Sequence, residues 1–341
     1  MAFKRGTGGA IEPSRIRRLL VIRSDDRVGN VLLTTPLMRA LREGLPHARI
    51  DWLIAATRRP LVEGLFLADQ LIPFDKRANR RNPLPLAALL WQLQAAEYDV
   101  VIDAAHHDAF SLSTAMLSRW TGAPVRIGHD RGDAAHFYSH PVPPLPDTQN
   151  DVLMKLELLK PLGLPTRGMA LETALGRSPE VGKQAEAVVE RAGLKDRFVI
   201  VNPGARKPDR RFSGAGLGRL VKELAEETGL RSLVVWGPGE EELAQTTVSA
   251  ARSAAVLAPA TDLDLLSALL RRASLLITND TGPMHLGVAC GTTVMALFTA
   301  DVANRWGHQL PTFRAVPAWP GAPDPVTEAR KVASELLETA A

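Results

Sequence analysis

The sequence predicts an α/β protein of two doubly wound, Rossmann-like parallel-sheet domains facing a cleft. Three observations carry this expectation. Short apolar runs alternate with longer amphipathic helical patterns, the rhythm of βαβ units. That rhythm lapses in the polar stretch Leu171 to Pro179 and then restarts. The chain has 341 residues, 45% of them apolar, which exceeds one ordinary core and suffices for two. The boundary is expected at 175/176, with a second domain over 176–325 and a last helix within 326–341 free to return to the first domain.

In the first domain Leu19-Leu20-Val21-Ile22 reads as a strand buried on both faces. A helix is expected over Val31 to Glu43, because Leu33, Leu37 and Leu41 share a face. Ile50 to Ile54 and Asp99 to Asp103 are the next strands, with a helix over Ser111 to Trp120. In the second domain the strands are Phe198 to Val201, Leu233 to Trp236, Ser274 to Thr278 and Val294 to Phe298. Helices fill the intervals at Gly216 to Glu227, Glu240 to Arg252, Asp262 to Arg272 and Thr281 to Cys290, and Thr327 to Thr339 closes the chain.

Composition narrows the function classes. One cysteine, Cys290, excludes an intramolecular disulfide and a cysteine-rich metal site. No apolar run reaches the roughly 20 residues that span a bilayer, and Met1 to Arg18 lacks the apolar segment of a secretory signal, so a cytoplasmic location is expected. The net charge is +4, with basic clusters at Arg15 to Arg18 and Lys76 to Arg81. These suit a solvated surface, an anionic acceptor or an anionic membrane face. Without interleaved aromatics they do not read as a nucleic-acid site.

In open α/β sheets ligands bind beyond the carboxyl ends of the strands, so the loops there are the candidates for chemistry. The first is Arg23 to Asn30, with Asp25 and Asp26 before Gly29; the plain alternative is a helix cap. The second, Asn202 to Phe212, crowds Arg206, Lys207, Arg210 and Arg211 around Gly204 and Ala205, a set suited to a diphosphate or simply an exposed basic loop. The third, Trp236 to Glu242, is a glycine turn into a helix, where Glu240 and Glu241 suit the positive helix end or ribose hydroxyls. The fourth, Thr278 to His285, leads through Asp280, Thr281 and Gly282 into a helix start that favours phosphate, with His285 one turn on. Gly214 to Gly218 lacks the dinucleotide glycine spacing, and the adjacent His106 and His107 point apart in regular structure, which disfavours a metal and leaves an acceptor role open.

At these four loops the chain resembles glycosyltransferase family 9, the ADP-heptose:lipopolysaccharide heptosyltransferases. The resemblance runs from about Arg18 to Glu338 and is strongest at Asn279-Asp280-Thr281-Gly282-Pro283-Met284-His285-Leu286. It extends to Gly29 through Leu37, Asn202-Pro203-Gly204-Ala205 and Trp236-Gly237-Pro238-Gly239-Glu240-Glu241. It implies GT-B architecture and inverting transfer without metal or cofactor, the ADP-sugar being a substrate. The first domain would bind an anionic glycan or glycolipid acceptor through Gly29, His106 and His107, at or near the inner face of the cytoplasmic membrane. The second would bind the donor through Gly204, Ala205, Arg206, Arg210, Trp236, Glu241, Asp280, Thr281, Gly282 and His285.

Three positions depart from the family pattern. Asn30 stands where the family has its catalytic aspartate, and an amide takes no proton at neutral pH. The segment before Gly29 is one residue longer, which makes Asp26 and Asp25 the candidate bases with Asn30 as an orienting hydrogen-bonder. After Phe298 the chain reads Thr299-Ala300-Asp301-Val302-Ala303, with the acidic position shifted. The alternatives are a nucleotide-sugar-binding protein that has lost catalysis, a GT-B epimerase, and an NAD oxidoreductase, for which the glycine fingerprint is missing.

Overall fold

The structure is a computed structural model and describes residues 11–75, 78, 83–105, 111–130, 136–146, 150–166, 168–319, 321 and 324–339. The chain forms two compact units, Met1–Glu172 and Thr173–Ala341. The division falls a little before the boundary expected from the polar stretch.

The first unit is built on β1 (Arg18–Arg23), β2 (Arg49–Ala55), β3 (Gln70–Phe74), β4 (Val100–Asp103), β5 (Val125–His129) and β6 (His140–Val142). They form one parallel sheet in the order β3-β2-β1-β4-β5-β6, with Leu19 opposite Val100 and Ile22 opposite Asp103. The second unit uses β7 (Val199–Asn202), β8 (Ser232–Val234), β9 (Ala255–Leu257), β10 (Leu275–Asn279), β11 (Val294–Phe298) and β12 (Phe313–Pro317). Its order is β12-β11-β10-β7-β8-β9, with Leu275 opposite Val199 and Thr278 opposite Asn202. In each sheet the chain winds outward, returns to the centre and winds the other way. The reversal lies between β1 and β4 in one unit and between β7 and β10 in the other. Crevices form at such switch points, so the loops after β1, β7 and β10 are the candidates for a binding site.

The helices are α1 (Val28–Leu32), α2 (Thr35–Gly44), α3 (Pro83–Ala95), α4 (Leu112–Trp120), α5 (Asp151–Glu157), α6 (Pro179–Arg191), α7 (Gly214–Thr228), α8 (Glu241–Ala251), α9 (Leu263–Arg272), α10 (Gly282–Cys290), α11 (Ala303–Trp306) and α12 (Pro325–Thr339). The single helix expected over Val31 to Glu43 is in fact α1 and α2. Pro36 supplies no N–H to a continuous helix, and the hydroxyls of Thr34 and Thr35 donate to the carbonyls of Asn30 and Leu32 at the break. The break keeps α1 short and holds Gly29 and Asn30 buried above the end of β1. Among the described residues no helix is long and apolar enough to cross a membrane.

Leu20, Ile22, Leu53, Val101, Leu89 and Leu93 pack together in the first unit. The second core joins β7, β10 and β11 to α7 and α12. The last helix, which the sequence left free to return to the first domain, contributes Val326, Ala329, Ala333, Leu336 and Leu337 to the core of its own unit.

Gly214 to Gly218, set aside as a nucleotide motif, is the first turn and a half of α7, capped by the Ser213 hydroxyl accepting from the Gly216 N–H. Gly218 lets α7 and α8 approach: a Cβ there would lie 2.4 Å from the Ala250 Cβ and 2.6 Å from the Thr247 carbonyl oxygen. A glycine in an open helix face gains about 1 kcal/mol on replacement by alanine. Here the overpacking is expected to win, so that Gly218→Ala lowers urea-unfolding stability by roughly 1–3 kcal/mol. A stabilised variant would contradict the close packing.

Candidate active site

The candidate site of the first unit begins with a buried cation. Arg23, at the carboxyl end of β1, is 1% exposed. One terminal nitrogen donates to the Ala104 carbonyl at 2.9 Å, bridging the ends of β1 and β4 across the switch point. The other pairs with Oδ2 of Asp25 at 2.9 Å. Oδ1 of Asp25 accepts from the Asn30 side-chain amide at 2.8 Å and from the Arg27 N–H at 3.2 Å. Asp25 is thus a half-buried carboxylate fixed by three donors, and Asn30, 5% exposed, is one of them. Beneath lies a second buried pair, Lys155 with Asp151, in the first two turns of α5. Burial holds the Lys155 ammonium below its usual range, Asp151 opposes this, and the fields of Arg23 and Asp25 reach it with opposite signs.

Asp26 differs from its neighbour. It is exposed, pairs with Arg58 at 2.9 Å and accepts from the Thr57 hydroxyl. The structure therefore brings Asp25, Asn30 and Gly29 together and leaves Asp26 on the loop surface. His106 and His107 lie outside the described residues.

The candidate site of the second unit is stapled by two asparagines that spacing alone did not single out. Asn202, ending β7, donates to the Thr278 hydroxyl at 3.0 Å and the Gly204 carbonyl at 3.2 Å. Asn279, ending β10, donates to the Pro203 carbonyl at 2.8 Å and accepts from the Phe212 N–H at 3.0 Å. They tie the loop after β7 to the loop after β10. Arg210 then reaches Asp280, with 2.6 Å between nitrogen and oxygen. Burial raises the Asp280 carboxyl above its usual range, and Arg210 offsets part of that shift. Thr281 is the extended residue before α10 and Gly282 its first residue, so backbone N–H groups open beside the Arg210 pair.

Gly204 and Ala205 are buried and Arg206 is exposed. A Cβ on Gly204 would fall 1.9 Å from Oε2 of Glu240, so a larger residue would displace that carboxylate, the end of a flexible side chain. Glu240 also accepts from the Gly237 N–H at 3.3 Å and meets Arg211 at 3.5 Å, while Arg211 donates to the Ala205 carbonyl at 2.7 Å. Glu241, the carboxylate favoured from the motif, is instead exposed on the first turn of α8 and bonded to Gln245. The turn at Gly237 to Gly239, not the motif, decides which glutamate faces the glycine loop. Trp236 is half-buried and its indole donates to the Ala258 carbonyl at 3.0 Å.

His285 is buried on α10, its Nδ1 2.9 Å from Nε2 of His308. One ring must donate and the other accept, so the two cannot share this bond with both fully protonated. Burial pushes His308 down to about 4. In the unfolded chain a histidine titrates near 6.5, so between these values the unfolded state binds the extra proton. Stability is expected to fall as pH drops from about 6.5 to about 4, by up to about 3 kcal/mol from this group. His308→Gln should remove that component, so its stability difference from the parent in urea should shrink or reverse between pH 7.5 and pH 5. A constant difference would place the His308 titration elsewhere.

The comparisons with known proteins agree with this layout. The model of glycosyltransferase family 9 (heptosyltransferase) matches residues 86–318. Lipopolysaccharide heptosyltransferase 3 of Escherichia coli K12 is 26% identical over 295 residues, covering 82% of this chain and 81% of that protein. A family 9 glycosyl transferase structure from Veillonella parvula has a TM-score of 0.83 at 23% identity, over 97% of this chain and 99% of that one. The E. coli heptosyltransferase WaaC with ADP has a TM-score of 0.67 at 22% identity, over 95% and 98%. These structures share the pair of wound sheets described above. The matched segment spans most of the chain and includes the loops after β4, β7, β8, β10 and β11, so this protein belongs to glycosyltransferase family 9, the heptosyltransferases.

Proposed function

We propose that the enzyme is an inverting heptosyltransferase that needs no metal or cofactor, moving heptose or a related sugar from an ADP-sugar to a lipopolysaccharide-type acceptor. The relatives' names supply the substrate classes, and the chemistry follows from this chain's side chains. The observation that supports the donor half best is Arg210 beside the start of α10. A departing diphosphate needs fixed positive charge and N–H donors as its charge develops. Arg210 supplies the charge, Asp280 holds it in place, and the N–H groups of the first turn supply the rest. Asn202 and Asn279 keep the two loops in register, and Glu240 and His285 are the side chains assigned to the nucleoside side of the site.

The acceptor half rests on Asp25. In an inverting transfer the acceptor hydroxyl attacks the anomeric carbon as the bond to the diphosphate oxygen breaks, and the hydroxyl proton passes to a base. Asp25 takes that proton, and ADP leaves. Arg23, Asn30 and the Arg27 N–H orient the Asp25 carboxylate. Asn30 is then a positioning residue. Its amide stands where the family places a carboxylate, and that carboxylate's function has moved to Asp25 in the longer loop. The acceptor's lipid would keep the enzyme at the inner membrane face.

ADP release from ADP-heptose, with and without candidate acceptors, tests the assignment. Acceptor-dependent release is expected. Asp25→Asn should lower kcat by about 10²–10⁴-fold, whereas Asp26→Asn should keep most of it. Equal losses in both, or full activity in Asp25→Asn, would remove Asp25 from the mechanism. Asn30 favours a second reading, a sugar-nucleotide-binding protein without turnover, and donor binding with no release for any acceptor would establish it. Without donor binding, UDP-, GDP- and dTDP-sugars become the candidates. Arg210→Ala should chiefly raise the donor KM, roughly tenfold or more, measured in the same assay.

A further inference from the structure

Asp25 is held by Arg23, and Arg23 is held in turn by the end of β4. Its main-chain anchor is the Ala104 carbonyl at 2.9 Å. That carbonyl belongs to the peptide group joining Ala104 to Ala105. The N–H of the same group donates to Oδ1 of Asp103 at 2.9 Å. A trans peptide is planar, with its N–H and C=O pointing opposite ways, so fixing one end aims the other. Asp103 therefore sets the direction in which the carbonyl meets the guanidinium. The preceding peptide group is tied to β1, because the Ala104 N–H donates to the Ile22 carbonyl at 3.1 Å.

Asp103 is itself fixed from its other oxygen. It ends β4, opposite Ile22 of β1 and Gly128 of β5, and is wholly buried. Its Oδ2 accepts from the Tyr138 hydroxyl at 2.7 Å. The Tyr138 ring lies over Gly128, where a Cβ would come within 2.4 Å of Cζ. Gly128 thus leaves the room the ring occupies beside Asp103. A buried carboxylate is costly to keep unless its oxygens are occupied, and here each has a donor.

We propose that Asp103 and Tyr138 are positioning residues for the transfer, holding Arg23 and through it Asp25 in the orientation that a base requires. The connection runs from the Tyr138 hydroxyl to the Asp103 carboxylate, the Ala104–Ala105 peptide, the Arg23 guanidinium and the Asp25 carboxylate. Hydrogen bonds in series polarise and align one another. The effect on transfer rests on the reading of Asp25 as the base; the restraint on Arg23 does not.

NMR of the Arg23 guanidinium nitrogens measures the restraint without turnover. Slow rotation about the Nε–Cζ bond is expected in the parent. Tyr138→Phe, whose ring fits the same space over Gly128, should speed that rotation, and Asp103→Ala should speed it further. Acceptor-dependent ADP release measures the consequence. Tyr138→Phe should lower kcat by about three- to tenfold and Asp103→Ala by about 10²-fold, each with the KM for the ADP-sugar unchanged. Asp103→Asn should restore most of the rate, because its oxygen still accepts from the Ala105 N–H and its amide donates to the Tyr138 oxygen. In an Asp25→Asn background Tyr138→Phe should lower kcat no further. Tyr138→Phe is expected to keep the parent's melting curve, so the test survives a failure of Asp103→Ala to fold. Rapid rotation in the parent, or rotation unchanged in the variants, would overturn the proposal. So would unchanged kcat in both single variants, a KM that rises as kcat falls, or losses that multiply fully with Asp25→Asn. Faster Arg23 rotation in the variants, with no acceptor-dependent release even from the parent, would instead overturn the transferase reading and leave the hold on Arg23 standing.

Discussion

A guanidinium buried at a strand end must be compensated on the spot, and much of the first unit's site follows from that requirement. Arg23 is almost wholly removed from water, and losing its partner would leave a buried charge at a cost of about 3–5 kcal/mol. The compensation comes from the Ala104 carbonyl and the Asp25 carboxylate. Asp25 is thereby held at the switch point by the same force that keeps the strand end folded. Asn30 and the Arg27 N–H complete the cradle, and a carboxylate so held keeps one orientation, as a base requires. On the proposed assignment stability and chemistry share one side chain, so kcat and the melting curve belong together for any Asp25 variant.

The second unit solves a different problem. Its loops carry several cations close together, and repulsion among them would spread the loops in the absence of internal anions. Asp280 neutralises Arg210, Glu240 meets Arg211, and Asn202 and Asn279 lock the loop backbones to the strand ends. Gly204 leaves the space that the Glu240 carboxylate occupies, where a Cβ would lie 1.9 Å from Oε2. The result is a preorganised basic surface at a helix start, which supports the proposed diphosphate site at little reorganisation cost.

Central strands were legible from their apolar runs, because β1, β2, β7, β10 and β11 are buried on both faces and apolar over most of their length. The outer strands were not. Gln70 to Phe74 contains a proline, and His140 to Val142 and Ala255 to Leu257 are too short to show a period. The four chemical loops could be read because they follow those central strands. What escaped was pairing over long sequence distances. The staple of Asn279 to Phe212 and the proximity of Lys155 to Arg23 leave no local signature. Which glutamate faces Gly204, and which aspartate meets Arg23, depends on one residue of loop register, which local sequence does not display.

Asp25 is proposed as the base and Asn30 as the residue that holds it. The pH dependence of kcat/KM in Asn30→Asp tests this most directly. The substitution places a second carboxylate about 2.8 Å from Asp25, and two acids so close cannot both ionise easily. If Asp25 takes the proton, the acid limb of the profile moves to higher pH by about a unit or more while the neutral-pH rate does not rise. A limb that stays in place together with a faster reaction would mean that the side chain at position 30 does the work, and that the structure holds Asp25 only as the counter-ion of Arg23.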